Sequence, residues 1–181
     1  MNILITGANR GLGLGFVRHY LDKGHAVWAC HRAHAGADVS ELAGIEHTSL
    51  HLLHWDVASD DAPLGELPEY IDVLINCAGI YRPGKDEQAL DKGSVEAIQQ
   101  VFNVDCIGPL RVVQRLHKHM NQDSVIANLS SKMGSCADNS SGGTYAYRAA
   151  KAGLVIVSKS MAVDLAPAGV HVLSLHPGWV R

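Results

Sequence analysis

Short apolar runs rich in β-branched residues recur along the chain, and longer stretches with a helical pattern separate them. Six of these runs predict strands, at residues 2–6, 25–30, 51–57, 72–79, 124–130 and 170–176. Their apolar positions are continuous rather than alternating, which is typical of parallel strands buried on both faces. The stretches between them predict helices at residues 11–23, 61–67, 87–103, 105–120 and 145–166, and a short helix from Asp38.

This alternation of strands and helices predicts the fold class. Strand–helix–strand units with right-handed crossovers form an α/β fold, a doubly wound parallel sheet with helices on both faces. Gly24 and Gly169 stand where two of the predicted helices end. A length of 181 residues suits one domain with a sizeable core, so residues 1–181 are predicted to form a single domain.

A glycine-rich turn, ITGANRGLGLG (residues 5–15), follows the first predicted strand and opens the first predicted helix. Glycines let a ligand approach the backbone, and the free N–H groups of a helix N-terminus attract a pyrophosphate. At this position the turn predicts a Rossmann-type dinucleotide site. No Lys-Ser/Thr pair follows, which excludes a nucleoside-triphosphate P-loop. The residues expected at the cofactor are Gly7, Asn9, Arg10, Gly11, Leu12 and Gly13.

The end of the second predicted strand indicates which dinucleotide binds. An acidic residue there would accept hydrogen bonds from a free ribose 2′-hydroxyl and indicate NAD. The chain instead has His31 and Arg32, and Arg10 lies in the glycine turn. Guanidinium groups bind phosphate oxygens in a forked geometry, so two arginines near the adenosine ribose favour a 2′-phosphate and hence NADP(H). The alternative is that both arginines are solvated surface charges.

The segment SGGTYAYRAAK (residues 141–151) contains two tyrosines and a lysine in a predicted helix. A helix turns about 100° per residue, so Tyr147 and Lys151 share a face whereas Tyr145 points about 120° away from Lys151. The unperturbed pKa of tyrosine is about 10, and a nearby cation lowers it by favouring the phenolate. Tyr147 is therefore the candidate acid or base, although a tyrosine and a lysine at this spacing are most often structural.

Several segments in a fixed order resemble the short-chain dehydrogenase/reductase family. They are TGANRGLG (6–13), Asp56, NCAG (76–79), Asn103, NLSS (128–131), YAYRAAK (145–151) and HPGW (176–179). The resemblance extends over the whole chain, and it is closest to the branch that contains the Sniffer carbonyl reductases and C-factor-like proteins. It implies an NADP(H)-dependent oxidoreductase that acts on a small-molecule carbonyl or alcohol substrate.

The resemblance implies roles for four catalytic residues. Tyr147 would be the general acid/base, and Lys151 would lower its pKa and bind the nicotinamide ribose. Ser131 would hydrogen-bond the substrate carbonyl beside its neighbour Ser130, and Asn103 would hold a water in the proton relay. Carbonyl reduction places negative charge on oxygen, so hydroxyl donors aimed at that oxygen suit the chemistry. The structural alternatives are a loop cap for Ser131 and backbone hydrogen bonding inside a helix for Asn103.

The resemblance also extends the predicted cofactor site beyond the glycine turn. An acid after the third strand would contact adenine, the NCAG segment would adjoin the cofactor, and the HPG segment would lie against the nicotinamide. In this chain Cys77 replaces the second Asn of the family's NNAG segment. The additional cofactor residues are Asp56, Val57, Asn76, Ala78, Gly79, Pro177 and Gly178.

Two further features depart from the family pattern. The small, polar segment SCADNSSGGT (135–144) lengthens the loop between Ser131 and Tyr147, and we expect it to border the substrate pocket. Family members continue beyond HPGWVR with a threonine-containing turn, a substrate-covering segment, and another helix and strand. The C-terminal helix and strand of the fold are therefore expected to be missing from these 181 residues.

Composition narrows the function classes further. The net charge is −3 with both signs interspersed, so no basic surface indicates a nucleic-acid partner. No apolar run approaches the roughly 18 residues of a membrane span. The four cysteines are scattered and no export leader is evident, which favours a cytoplasmic protein with reduced thiols. His51/His54 and His117/His119 lack a third ligand at suitable spacing, so no metal site is expected.

A rival class remains beside the oxidoreductase, namely a regulatory or signalling protein that binds a nucleotide on the same fold without turnover. The presence of Asn103, Ser131, Tyr147 and Lys151 together favours the enzyme. A methyltransferase is disfavoured by the helix that carries Tyr147 and Lys151. The family resemblance also implies a homodimer or homotetramer, joined through the predicted helices at 105–120 and 145–166.

Overall fold

Six parallel strands form one sheet at the centre of the protein. The computed structural model describes residues 1–32, 39–81 and 89–179. The strand order is β3-β2-β1-β4-β5-β6, so the direction of winding reverses between β1 and β4 and leaves a crevice at their carboxyl ends. The strands are β1 Asn2–Thr6, β2 Ala26–His31, β3 Leu50–His54, β4 Ile71–Asn76, β5 Met120–Leu129 and β6 His171–Leu175.

Helices connect these strands. The α-helices are α1 Gly11–Asp22, α2 Ser40–Ala43, α3 Val95–Phe102, α4 Gly108–Leu116 and α5 Tyr145–Leu165. A π-helical turn at Asn103–Ile107 joins α3 to α4, and shorter 3₁₀ turns lie at His117–His119, Lys132–Gly134 and Ala166–Ala168. Gly24 and Gly169 both have left-handed backbone angles, with φ of +76° and +72°, where α1 and the turn after α5 end.

Helices pack on both faces of the sheet, as the sequence predicts. Ile3 and Ile5 of β1 face α1, whose buried residues include Leu14 and Val17. Leu4, between them, faces the opposite cluster, which contains buried residues of α4 and α5. Successive side chains of a strand point to opposite faces, so β1 contributes to both halves of the core. The doubly wound α/β fold class is thus confirmed.

The helix predicted at residues 61–67 is wrong. Leu64 instead forms an isolated antiparallel bridge with His54, in which each residue's N–H donates to the other's carbonyl. Pro63 has no N–H to donate, and Gly65 has φ of +127°, an angle far from helical values. Helical periodicity was weak evidence in a segment with both of these residues.

Other predicted boundaries move by several residues. The predicted helix at 87–103 begins in the structure at Val95, where the Ser94 hydroxyl caps the helix by accepting the N–H of Ala97 at 3.0 Å. The early part of that prediction falls partly on residues 82–88, outside the described residues. Asp38, the predicted start of a short helix, also lies outside them, and α2 begins at Ser40.

Two properties can be stated for the described parts of the chain. Within them, no helix is long and apolar enough to cross a membrane. Over the same ranges, no group of three or more His, Cys, Asp or Glu residues is arranged to hold a metal ion.

Candidate active site

A cavity of about 640 Å³ opens at the carboxyl ends of the strands, where the sheet changes its direction of winding. Loops after β1, β2, β3, β4, β5 and β6 contribute to its walls together with α5. Most of the predicted site residues line it. They are Gly7, Asn9, Arg10, Gly11, Leu12, Gly13, His31, Arg32, Asp56, Val57, Ala78, Gly79, Ser131, Tyr147, Lys151, Pro177 and Gly178.

The glycine turn packs too closely for side chains at two of its positions. A Cβ at Gly7 would lie 2.7 Å from Ala78 Cα, and Gly7 also has φ of +66°. A Cβ at Gly13 would lie 2.1 Å from the carbonyl oxygen of Gly7. The side chain of Arg10, the N-cap residue of α1, makes no capping hydrogen bond, and this backbone surface suits a pyrophosphate.

The Thr6 hydroxyl joins this turn to the loop after β4. Its Oγ1 accepts the N–H groups of Cys77 and Ala78 at 3.1 and 3.2 Å. The contact fixes the two loops that face each other across the crevice, and the NCAG segment therefore lies directly against the glycine turn.

The end of the cavity beside the carboxyl end of β2 carries two cations and a neutral imidazole. Arg10 and Arg32 are exposed and line the cavity. His31 is buried, contacts His54 edge to face at 4.3 Å, and has its Nδ1 3.3 Å from the Arg32 carbonyl oxygen. Burial lowers the pKa of His31, so its imidazole is neutral at pH 7 and adds no positive charge.

Asp56 and Asn76 have different surroundings, although both were predicted to contact the cofactor. Asp56 lines the cavity, and its Oδ1 accepts the N–H of Ala58 at 2.9 Å. Asn76 is buried and is not among the cavity residues. Its Nδ2 donates to Asn128 Oδ1 at 2.8 Å, and Asn128 Nδ2 donates to Ser158 Oγ at 2.8 Å. Asn76 thus links β4 to β5 and α5, and its cofactor contact stays a prediction.

Tyr147, Ser131 and Lys151 meet on one side of the cavity. The Ser131 hydroxyl hydrogen-bonds the Tyr147 side chain and accepts the N–H of Met133 at 3.1 Å. The Lys151 ammonium lies 5.5 Å from the centre of the Tyr147 ring, which confirms that the two residues share a face of α5. Tyr145 is exposed and is not among the cavity residues.

Asn103 does not line the cavity, and its role in a proton relay stays a prediction. Its Nδ2 donates to the carbonyl of Ala58 at 2.9 Å, and its Oδ1 accepts from Arg111 Nη2 at 3.2 Å. Asp105, two residues later in the π-helical turn, lies in the cavity wall instead. Its Oδ2 is 3.2 Å from Lys151 Nζ.

Comparison with known proteins identifies the family. The family described as short chain dehydrogenase matches residues 1–181. The chain belongs to the short-chain dehydrogenase family. It is 39% identical to the C-signal protein of Myxococcus xanthus over 113 residues, which cover 61% of this chain and 66% of that protein. The curated relative therefore extends beyond the matched part.

Solved structures of short-chain dehydrogenases have the same fold. A short-chain dehydrogenase/reductase from Burkholderia multivorans with bound NADP aligns with a TM-score of 0.86 at 28% identity, over 99% of this chain and 80% of that one. The carbonyl reductase Sniffer of Drosophila melanogaster aligns with a TM-score of 0.83 at 28% identity, over 98% of this chain and 80% of that one. These similarities confirm the predicted branch, and the chain is an oxidoreductase by family.

The pKa of Tyr147 moves in the direction opposite to the one predicted. Burial is the largest cause and raises it, the hydrogen bond from Ser131 opposes the rise, and the charges of Asp105 and Tyr81 add to it. The Lys151 charge was expected to lower this pKa. In this short-chain dehydrogenase, however, the ammonium is paired with Asp105 and also donates to the Leu129 carbonyl at 2.9 Å.

Two residues of the site were missed by reasoning from the sequence. Asp105 had a usable signal, because it is an acidic residue between two apolar neighbours, Val104 and Cys106, at the start of a predicted helix. Tyr81 had none, and its ring contacts that of Tyr147 edge to face at 4.9 Å. Only the path of the loop after β4 brings Tyr81 to α5.

Proposed function

We propose that this short-chain dehydrogenase is an NADP(H)-dependent oxidoreductase, which transfers a hydride between the nicotinamide and a carbonyl or alcohol substrate. The observation that carries the proposal is the convergence of Tyr147, Ser131 and Lys151 on the same cavity as the glycine turn. A protein that only bound a nucleotide would need the turn but not an acid/base group beside it.

The residues present fit a dinucleotide. The backbone of Gly7 and Gly13 leaves no room for side chains, and the N-terminus of α1 would hold the pyrophosphate. Asp56 and Val57 would contact the adenine, and Pro177 and the glycine after it would lie beside the nicotinamide. The bound cofactor supplies the hydride, so the protein needs only to position the substrate and to move a proton.

The Tyr147 hydroxyl is the group that would donate a proton to the substrate oxygen in reduction and accept it in oxidation. Ser131 would donate a second hydrogen bond to that oxygen, where negative charge develops. Lys151 would hold the nicotinamide ribose. Asn103 lies outside this cluster. Asp105, in the π-helical turn between α3 and α4, is the polar residue that contacts Lys151 from that side.

The preference for NADP(H) over NAD(H) rests on charge. Arg10 and Arg32 line the cavity beside the end of β2, and the described residues of that strand end offer no carboxylate to a ribose 2′-hydroxyl. Two guanidinium groups would bind a 2′-phosphate through charge-assisted hydrogen bonds. The NADP bound by the Burkholderia multivorans relative supports the same choice.

A second function is favoured by one observation, the similarity to a protein named C-signal. A regulatory or signalling protein would bind the dinucleotide without turnover. Kinetics separate the two functions. NADPH oxidation is measured with a panel of aldehydes, ketones and quinones, and turnover of any substrate that is lost in Tyr147→Phe supports the oxidoreductase. Tight NADPH binding without turnover of any member of the panel would support the regulatory protein.

A further inference from the structure

A buried ion pair lies behind the site, between the π-helical turn and α5. Asp105 is fully buried and Lys151 nearly so. Asp105 Oδ1 accepts the N–H of Ile80 at 2.8 Å, and Oδ2 lies 3.2 Å from Lys151 Nζ. Oδ1 therefore has a hydrogen-bond donor, whereas Oδ2 has the Lys151 charge beside it but no hydrogen bond of suitable geometry among the described residues. Buried ion pairs seldom stabilise a fold more than apolar residues of the same size would, so stability alone does not account for this pair.

The backbone is arranged to bring Asp105 to the lysine. The turn at Asn103–Ile107 is π-helical, and such insertions in helices occur frequently at functional sites. Gly79 lies against the carboxylate, and a Cβ at that position would be 3.3 Å from Asp105 Oδ2. The loop after β4 thus supplies both the N–H that binds the carboxylate and the space that it occupies.

We propose that Asp105 is a positioning residue that holds the Lys151 ammonium and compensates its charge, and thereby controls how strongly that ammonium acts on the Tyr147 hydroxyl. The inference rests on the proposed acid/base function of Tyr147. It deepens that function by adding a negative partner to the tyrosine–lysine pair. Burial raises the pKa of Asp105, while the Lys151 charge and the Ile80 N–H oppose the rise.

Other titratable groups near the pair do not change the sign of this effect. Burial raises the pKa of the Cys77 thiol to about 11 and also raises that of Cys106, so both thiols are neutral at pH 7 and Cys77 ionises only in the alkaline range in which Tyr147 itself titrates. Tyr81 faces Tyr147 from the loop after β4, and His176 lines the same cavity after β6. These two thiols, Tyr81 and His176 are present in wild type and in an Asp105 variant alike. A difference between the two Tyr147 titrations therefore reports the effect of the Asp105 carboxylate.

The test is an ultraviolet titration of tyrosinate in the cofactor-free protein. Subtracting the titration of Tyr147→Phe in the same background isolates Tyr147. Asp105→Asn removes the negative charge and retains an oxygen for the Ile80 N–H. Tyr147 is expected to ionise at lower pH in Asp105→Asn than in wild type, because a negative neighbour is gone and the Lys151 charge is no longer compensated.

Asp60→Asn is the matched control. It also removes a carboxylate paired with a cation, Arg111 Nε at 2.7 Å, but Asp60 is exposed and does not line the cavity. Its Tyr147 titration is expected to equal that of wild type. Asp105→Ser repeats the removal of charge with a smaller side chain, and the same downward shift is expected.

Each outcome decides the inference. An unchanged or upward shift in folded Asp105→Asn overturns it, and failure of both Asp105 variants to fold assigns the residue a structural role and overturns it as well. Activity is a separate readout, since alcohol oxidation by Asp105→Asn should rise with pH earlier than in wild type. A shifted titration in a protein without turnover would retain the inference and refute the proposed function. Turnover by a variant whose Tyr147 titration is not shifted would support the proposed function and overturn the inference about Asp105.

Discussion

Two tyrosines on one helix turn have different surroundings, and this difference yields a prediction at the scale of the residue. Tyr147 contacts Ser131 and Tyr81 in the cavity, whereas Tyr145 is exposed outside it. Tyr147→Phe deletes the transferable proton and retains the ring, so turnover is expected to fall by about 100-fold or more. NADPH affinity and thermal stability should stay near wild type.

Tyr145→Phe is the matched control, and it should retain most of the turnover. The measurements are steady-state NADPH oxidation, cofactor titration and thermal unfolding of both variants. Wild-type activity in Tyr147→Phe, or loss of activity in Tyr145→Phe alone, would show that the acid/base residue has been misplaced.

The proposed preference for NADP(H) gives a second prediction at the scale of the residue. Arg32→Asp combined with Arg10→Ala removes two cations from the cavity wall and should weaken NADPH binding by about ten- to a hundred-fold relative to NADH. Arg18→Ala is the control, since Arg18 is exposed, pairs with Glu41 and does not line the cavity. Dissociation constants measured for both cofactors check the prediction. Identical constants in the double variant and wild type would leave the NADP(H) assignment without a basis.

At the scale of the element, the glycine turn and the N-terminus of α1 pack against each other and form the proposed phosphate site. A methyl group at Gly13 would collide with the Gly7 carbonyl oxygen at 2.1 Å, so Gly13→Ala must displace α1 from β1. We expect Gly13→Ala to lower the unfolding temperature and to abolish measurable NADPH binding, as read by thermal unfolding with and without cofactor.

Gly15→Ala gives the control in the same helix. A Cβ at Gly15 meets no atom within 4 Å, and the residue does not line the cavity. Alanine is the better helix former, so this variant should be more stable by up to about 1 kcal/mol and should bind NADPH as wild type does. Equal cofactor binding by the two variants would contradict the proposed phosphate site.

At the scale of the whole molecule, α5 leaves apolar side chains uncovered. Leu154 and Met161 are buried, whereas Val155, Ile156 and Val163 are exposed on the outer face. Exposed apolar patches often mark interfaces, and we predict a homodimer or homotetramer in which α4 and α5 meet a second copy. Light scattering at micromolar concentration should give a mass above 19.4 kDa.

Substitution on that face should reduce the mass. Ile156→Lys is expected to shift the protein toward the monomer, because a charge would be buried in the interface without a partner. Leu64→Lys is the control, since Leu64 is also exposed but lies far along the chain, in the segment bridged to β3. A monomeric wild type would refute the prediction.

The sequence by itself determined the strands, the doubly wound fold class and the helix face that Tyr147 shares with Lys151. All six strands were predicted near their observed positions from their apolar runs, although β3 and β6, at the two edges of the sheet, are largely exposed. The pairing of Tyr147 with Lys151 on one face followed from helix periodicity alone. The apolar run of a strand and the spacing of residues on a helix face depend on backbone geometry alone, so they can be predicted without the tertiary structure.

Tertiary structure alone decided which polar residues reach the cavity and which charge they carry. Asn103 and Asp105 lie two positions apart, and the π-helical turn directs only Asp105 toward Lys151. The buried Asn76 donates a hydrogen bond to Asn128. The pKa of Tyr147 rises because burial, together with the charges of Asp105 and Tyr81, outweighs the hydrogen bond from Ser131. Burial and pairing depend on residues far apart in sequence, and no local pattern records them.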